Sequence, residues 1–242
     1  MKIDKTCILI TGCIKPDPNM VFLTLKDPNI RREQYIDSLL FYLKDSIANK
    51  IVFCDNSCSE IDKAVINYSH TLGKQFEWIS FKGNTELSTK YGKGYGEGEI
   101  VQYALENSLL LKESDSFVKV TGRFRVININ HMMRFLSSNK IYFDFQEDFV
   151  DTRCYVANIQ KFSNNLINQY TRVDDGKGYY LEHAYYDVVK DNRKDIKQFP
   201  MVINIQGQSG STGGINTAYS EKGYYYRSLQ KMIRSIKRTV GK

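Results

Sequence analysis

Five short stretches of the sequence carry side chains suited to holding phosphate or moving a proton. In Lys119-Val120-Thr121-Gly122-Arg123, two cations and a hydroxyl follow or end the apolar run Phe117–Val120. On an extended strand Lys119, Thr121 and Arg123 share one face. A guanidinium grips phosphate through paired hydrogen bonds, so that face suits a diphosphate. An edge strand with solvated charges is the plainer reading. Gly92-Lys93-Gly94-Tyr95-Gly96-Glu97-Gly98-Glu99 has glycine at alternate positions. Such a backbone can approach a ligand closely and turn successive N–H groups onto an anion where a helix begins. It reads as a donor-site loop with Lys93 and Gly94 near phosphate. It is not a Walker A sequence, since Gly-Lys-Ser/Thr occurs nowhere in the chain, nor does it satisfy Gly-x-Gly-x-x-Gly.

Asp55-Asn56-Ser57 directly follows the apolar Ile51–Cys54. A carboxylate there can accept from a ribose hydroxyl or a base N–H; it can equally form an Asx-type turn capping the next helix. Thr11 stands near the end of the first apolar run. Gly207-Gln208-Ser209-Gly210-Ser211-Thr212-Gly213-Gly214 offers backbone N–H groups and the hydroxyls of Ser209 and Ser211 to phosphate, or serves as a hinge. In Tyr179–Val189, Glu182, His183 and Asp187 supply acid–base groups, and His183 and Asp187 can pair at i,i+4 on a helix. One of the two carboxylates would be a general base, with His183 orienting or sharing the proton. Asp144, Glu147, Asp148 and Asp151 form an acidic run that a Mn or Mg ion could use, although a solvated loop is the more ordinary outcome.

The elements that must position these groups alternate. Thr6–Ile14, Ile51–Cys54, Phe76–Phe81 and Phe117–Val120 read as buried strands, and Arg31–Ser46, Ser59–His70 and Glu99–Leu110 as helices between them. That order implies a mostly parallel sheet with helical crossovers. Ligands of such sheets sit beyond the carboxyl ends of the strands, which places Thr11 to Lys15, Asp55 to Ser57, residues 82–95 and Thr121 to Arg123 at the site. The second half is less regular: strands at Ile141–Phe145, Thr152–Ala157 and Met201–Ile205, helices at Gln160–Tyr170 and Tyr179–Lys190. One domain over 1–221 is expected, with a nucleotide-binding half to about 125 and an acceptor half to about 221.

Charge narrows the class. Of 34 Lys and Arg, seven fall in residues 222–242 without a single acid; removing them leaves 27 bases against 27 acids in residues 1–221. A nucleic-acid-binding body should carry its basic excess on the fold itself. The tail instead sets Tyr226, Leu229, Met232, Ile233, Ile236 and Val240 at helical spacing among cations, the pattern of a helix lying on an anionic membrane surface. No apolar run approaches the length of a membrane span. Five cysteines, an odd number, with several in strand-like settings, fit reduced thiols and a cytoplasmic, peripherally attached protein.

YGKGYGEGE, KVTGRFRV, DTRCYVAN, YLEHAYYD and GQSGSTGG, set on this strand–helix order, together resemble small bacterial GT-A glycosyltransferases of capsule, O-antigen or lipooligosaccharide synthesis. The resemblance implies an α/β, Rossmann-related, mostly parallel sheet flanked by helices. It also implies sugar transfer from a nucleoside-diphosphate sugar to a glycan or lipid-linked acceptor. GT-A enzymes usually carry Asp-x-Asp after the fourth strand to hold a metal. Here that position reads Lys-Val-Thr-Gly-Arg, so the expectation is a reaction without a metal cofactor, cations standing in for the ion. A sugar nucleotidyltransferase and a non-catalytic nucleotide- or glycan-binding module are the alternatives.

Overall fold

The structure is a computed structural model that describes residues 1–20 and 23–208. Strand β1 (Thr6–Gly12) is buried along its whole length, as is β2 (Lys50–Asp55). Continuous apolar runs of this kind are what a sheet covered on both faces requires. Helix α1 (Pro28–Asp45) joins them and starts three residues before the expected Arg31. Asp27 accepts from Asn29 N–H at 2.8 Å and Pro28 occupies the first turn, the usual roles of Asp and Pro at a helix start. Helix α2 (Lys63–Thr71) begins after its cap Asp62 rather than at Ser59, because Ser59 N–H is drawn to Asp55 instead. Strand β3 (Gln75–Ser80) is followed by α3 (Thr85–Tyr91), α4 (Lys93–Asn107) and the short α5 (Leu109–Lys112).

Strands β4 (Ser116–Thr121) and β5 (Phe124–Val126) lead through α6 (Ile129–Phe135) to β6 (Ile141–Phe145) and β7 (Val150–Asn158). Helices α7 (Ile159–Asn165) and α8 (Leu181–Val189), then β8 (Ile196–Gln198) and β9 (Ile205–Gly207), complete the described chain. The late strand expected at Met201–Ile205 is displaced. The Asn128 side chain donates to Val202 O and accepts from Asn204 N–H, both at 2.9 Å. Those backbone groups therefore join no ladder, and pairing resumes only at β9.

The main sheet runs β3-β2-β1-β4-β7-β6-β8. Its first four strands are parallel; β7 opposes β4, β6 opposes β7, and β8 lies parallel to β6. A second, two-stranded sheet pairs β5 with β9. This is the expected α/β architecture with a mostly parallel sheet and helices on its faces. Alternation along β1 and β4 splits the core. Cys7, Leu9 and Phe117 join a cluster with residues of α4 and α8, while Ile8, Ile10, Val118 and Val120 join one with residues of α1 and α6. Among the described residues no helix is long and apolar enough to cross a membrane.

Candidate functional site

A cavity of about 640 Å³ opens at the carboxyl ends of β1, β2 and β4, lined there by Gly12, Cys13, Asn56, Ser57, Thr121 and Arg123. That volume suits a nucleotide-sized ligand. Lys93 and Gly94 at the start of α4 and Glu182 at the start of α8 also line it. The crevice therefore lies where the strand order places it. Of the sequence candidates, Asn56, Lys93, Gly94, Thr121, Arg123 and Glu182 meet around one space.

The other candidates among the described residues do not line it, each for a physical reason. Asp55 is fully buried and accepts from Ile14 N–H at 2.8 Å, Ser57 N–H at 2.9 Å, the Ser57 hydroxyl at 2.8 Å and Ser59 N–H at 3.2 Å. With its oxygens so engaged it ties the loops after β1 and β2 together, and the turn reading replaces the ribose reading. Lys119 is also fully buried. Its ammonium pairs with Glu97 and donates to Thr121 Oγ1 at 2.9 Å and Thr152 O at 2.7 Å. Thr11 belongs to the same knot, donating to Glu97 at 2.7 Å. Burial pushes the Glu97 carboxyl up, but the charge of Lys119 and the hydrogen bonds from Lys119, Thr11 and Thr121 outweigh it and hold Glu97 below its ordinary range. Lys119 thus lies under the site and is already neutralised by protein.

Lys119 and Thr121 share a face of β4, both meeting Glu97, but Arg123 leaves it. Gly122 N–H donates to Thr11 O at 2.8 Å, and a Cβ on Gly122 would lie 2.4 Å from that oxygen. The chain turns here, so Gly122 makes its close approach to β1 and Tyr35 rather than to a ligand. Beyond the turn Arg123 reaches α1, donating to Gln34 Oε1 at 3.2 Å.

The glycine string is not a loop. Gly94, Gly96 and Gly98 lie inside α4, and Gly92, at φ +106°, is its cap. The carboxylate of Asp175 packs against its start, the position expected for a phosphate. Close packing explains the glycines: a Cβ on Gly92 would meet Asp175 at 2.1 Å, and one on Gly98 would meet Tyr170 at 2.0 Å. Asp175 itself lines the cavity, and burial pushes its carboxyl up.

On α8, Glu182 faces the cavity and accepts from the Thr152 hydroxyl at 2.7 Å. His183 Nδ1 accepts from Tyr180 N–H at 3.1 Å, which fixes the helix start. Asp187 sits away from the cavity, bonded to Tyr179 Oη at 2.6 Å, Lys190 at 2.9 Å and Arg172 at 3.2 Å. Those hydrogen bonds, Tyr179 first, hold its carboxyl below the ordinary range. The expected His183–Asp187 pairing is replaced by these contacts. Ser209, Ser211 and the tail 222–242 lie outside the described residues. Asp151 of the acidic run pairs with Arg153, and Asp144 accepts from Gln198 at 2.6 Å. Among the described residues no three His, Cys, Asp or Glu side chains group closely enough to hold a metal.

Arg31, Tyr35, Arg153 and Asp175 are cavity residues that sequence reasoning missed. For Arg31 a signal existed: it stands four and eight residues before Tyr35 and Leu39, on the apolar stripe of α1, where a lone cation is out of place.

No family model and no curated protein matches the chain. Among solved structures, it is similar to a Desulfovibrio desulfuricans G20 protein assigned as a nucleotide-diphospho-sugar transferase: 12% identity, 81% of this chain and 79% of that one, TM-score 0.49. Similarity also extends to the mannosyltransferase Ktr4p of S. cerevisiae, at 7% identity over 83% and 70% of the two chains, TM-score 0.46. The bifunctional glycosyltransferase WbbM is similar at 11% identity over 81% of this chain and 38% of that one, TM-score 0.47.

Proposed function

We propose that the protein transfers a sugar from a nucleoside-diphosphate sugar to a glycan or lipid-linked acceptor of bacterial surface polysaccharide, without a metal ion. The observation that carries this reading is the cavity at the carboxyl ends of β1, β2 and β4, which brings Arg123 and Glu182 to one space. An acceptor hydroxyl attacks the anomeric carbon, the bond from that carbon to the diphosphate oxygen breaks, and Glu182 takes the hydroxyl proton. Arg123 stabilises the charge that develops on the leaving diphosphate. The basic segment 222–242 docks the enzyme on an anionic inner-membrane surface, each engaged cation contributing about 1 kcal/mol.

A panel of nucleotide sugars, assayed for turnover with and without EDTA, tests the reaction. One donor should be consumed equally well in both. Turnover abolished by EDTA and restored by Mn²⁺ overturns the metal-free reading, and no turnover of any donor with any glycan acceptor overturns transfer. Loss of residues 222–242 should abolish sedimentation with anionic vesicles; unchanged sedimentation removes the docking role.

A further inference from the structure

We infer that Arg31, Tyr35 and Arg123 form a preorganised seat for a diphosphate, with the Tyr35 phenol as its third donor. All three line the cavity and are nearly sequestered, with 4%, 4% and 9% of their surfaces exposed. The two guanidinium carbons lie 5.6 and 5.9 Å from the centroid of the same Tyr35 ring. None of the ion pairs formed among the described residues involves either arginine. Two buried like charges without a counter-ion are costly, and the cost is relieved when an anion arrives between them.

The hydrogen bonds show which donors remain for it. Arg31 is anchored: its Nε donates to Cys13 O at 2.9 Å, its Nη1 to Leu25 O at 3.1 Å and its Nη2 to Tyr35 Oη at 3.0 Å. Arg123 is not. It gives one N–H to Gln34, and its Nε is buried with no hydrogen-bond partner, an arrangement proteins rarely leave uncompensated. Tyr35 Oη accepts from Arg31 and also from Cys13 N–H at 3.1 Å. Its lone pairs are thereby engaged while its own proton has no acceptor among the described residues, so that proton is available to a ligand oxygen. Burial raises the phenol above its ordinary range, which keeps the proton in place. Two charges and a neutral donor match a dianionic or trianionic diphosphate better than a single sugar carboxylate.

The seat rests on the glycosyl-transfer reading only for the source of its anion. Calorimetric titration with inorganic pyrophosphate and with nucleoside diphosphates, and melting curves, should be run on the wild type, Arg123→Gln and Tyr35→Phe. Arg123→Gln should weaken pyrophosphate about tenfold to a hundredfold, and Tyr35→Phe about threefold to tenfold. The unliganded Arg123→Gln protein should melt at or above the wild-type temperature, because a repulsion and an orphaned donor are removed. Failure of the wild type to bind pyrophosphate, equal affinity in all three proteins, or a lower melting point for unliganded Arg123→Gln would each overturn the seat. Pyrophosphate binding that behaves as expected, with no nucleotide sugar turned over, keeps the seat and removes the transferase reading. Donor turnover with an unchanged KM in Arg123→Gln does the reverse.

Discussion

Replacing Glu97 by Gln isolates the buried charge beneath the site. Lys119 is fully buried, and its only ion pair among the described residues is with Glu97, whose side chain is 22% exposed. Removing one partner of a buried pair leaves the other charge uncompensated, at a cost of about 3–5 kcal/mol. For a chain of this size each 1 kcal/mol shifts the melting temperature by about 2–4 °C, so Glu97→Gln should melt lower by about 6–20 °C. Adding Lys119→Met should restore most of the loss, because no buried charge is then left uncompensated. The pH dependence has a definite sign. The folded Glu97 carboxyl titrates below its ordinary 4.5, so its stabilisation is complete above that value and is lost as pH falls through the lower folded one. Wild type should therefore lose stability in that acid window more steeply than Glu97→Gln. Urea or thermal denaturation across that range reads both effects. A single variant within about 0.5 kcal/mol of wild type, or a double variant as unstable as the single, refutes the reasoning.

Three further outcomes follow from the same contacts. Glu182→Gln should lower kcat by about 10²–10⁴ with donor affinity intact, while Asp187→Asn, whose carboxylate is held on the outside of α8, should keep near-wild-type turnover; steady-state kinetics and donor titration separate them. Gly98→Ala should destabilise the fold by about 1–3 kcal/mol through overpacking on Tyr170, measured by urea unfolding, whereas helix propensity alone demands a gain of about 1 kcal/mol. Asp175, raised above its ordinary 3.8 by burial, penalises the fold as pH rises from that value through the folded one. Asp175→Asn should abolish that part of the pH dependence in melting curves while keeping the side-chain volume packed against Gly92.

What was legible in the sequence is what is set locally or by strand order. Strands β1, β2 and β4 show as apolar runs because they are buried on both faces, β3 at the sheet edge is only half-buried, and the order of the four locates the crevice. The start of α1 is also legible in Asp27-Pro28, three residues before the apolar stripe begins near Arg31. The glycine string misleads because its explanation is not local. Tyr170 and Asp175, more than seventy residues downstream, press against α4 and exclude side chains there. His183 and Asp187 mislead similarly: helical spacing permits their pairing, but Tyr180, Tyr179, Arg172 and Lys190 offer each a nearer partner.

The sharpest divergence comes from Gly122. Read as continuous strand, Lys119-Val120-Thr121-Gly122-Arg123 sends both cations to one face and one ligand. A side chain at position 122 would collide with Thr11 O and Tyr35, so glycine lets β4 end in a turn pressed against β1. Lys119, before the turn, points into the layer under α4, where Glu97 neutralises it. Arg123, after it, crosses to α1 and stands beside Arg31, a second uncompensated cation. One pentapeptide thus supplies two opposite things: a neutral buried pair that holds β1, β4 and α4 together, and a charged wall that remains positive until an anion binds. The charge proposed to answer a diphosphate comes from β4 and α1 jointly, and its second half lies on a helix that the strand motif does not contain.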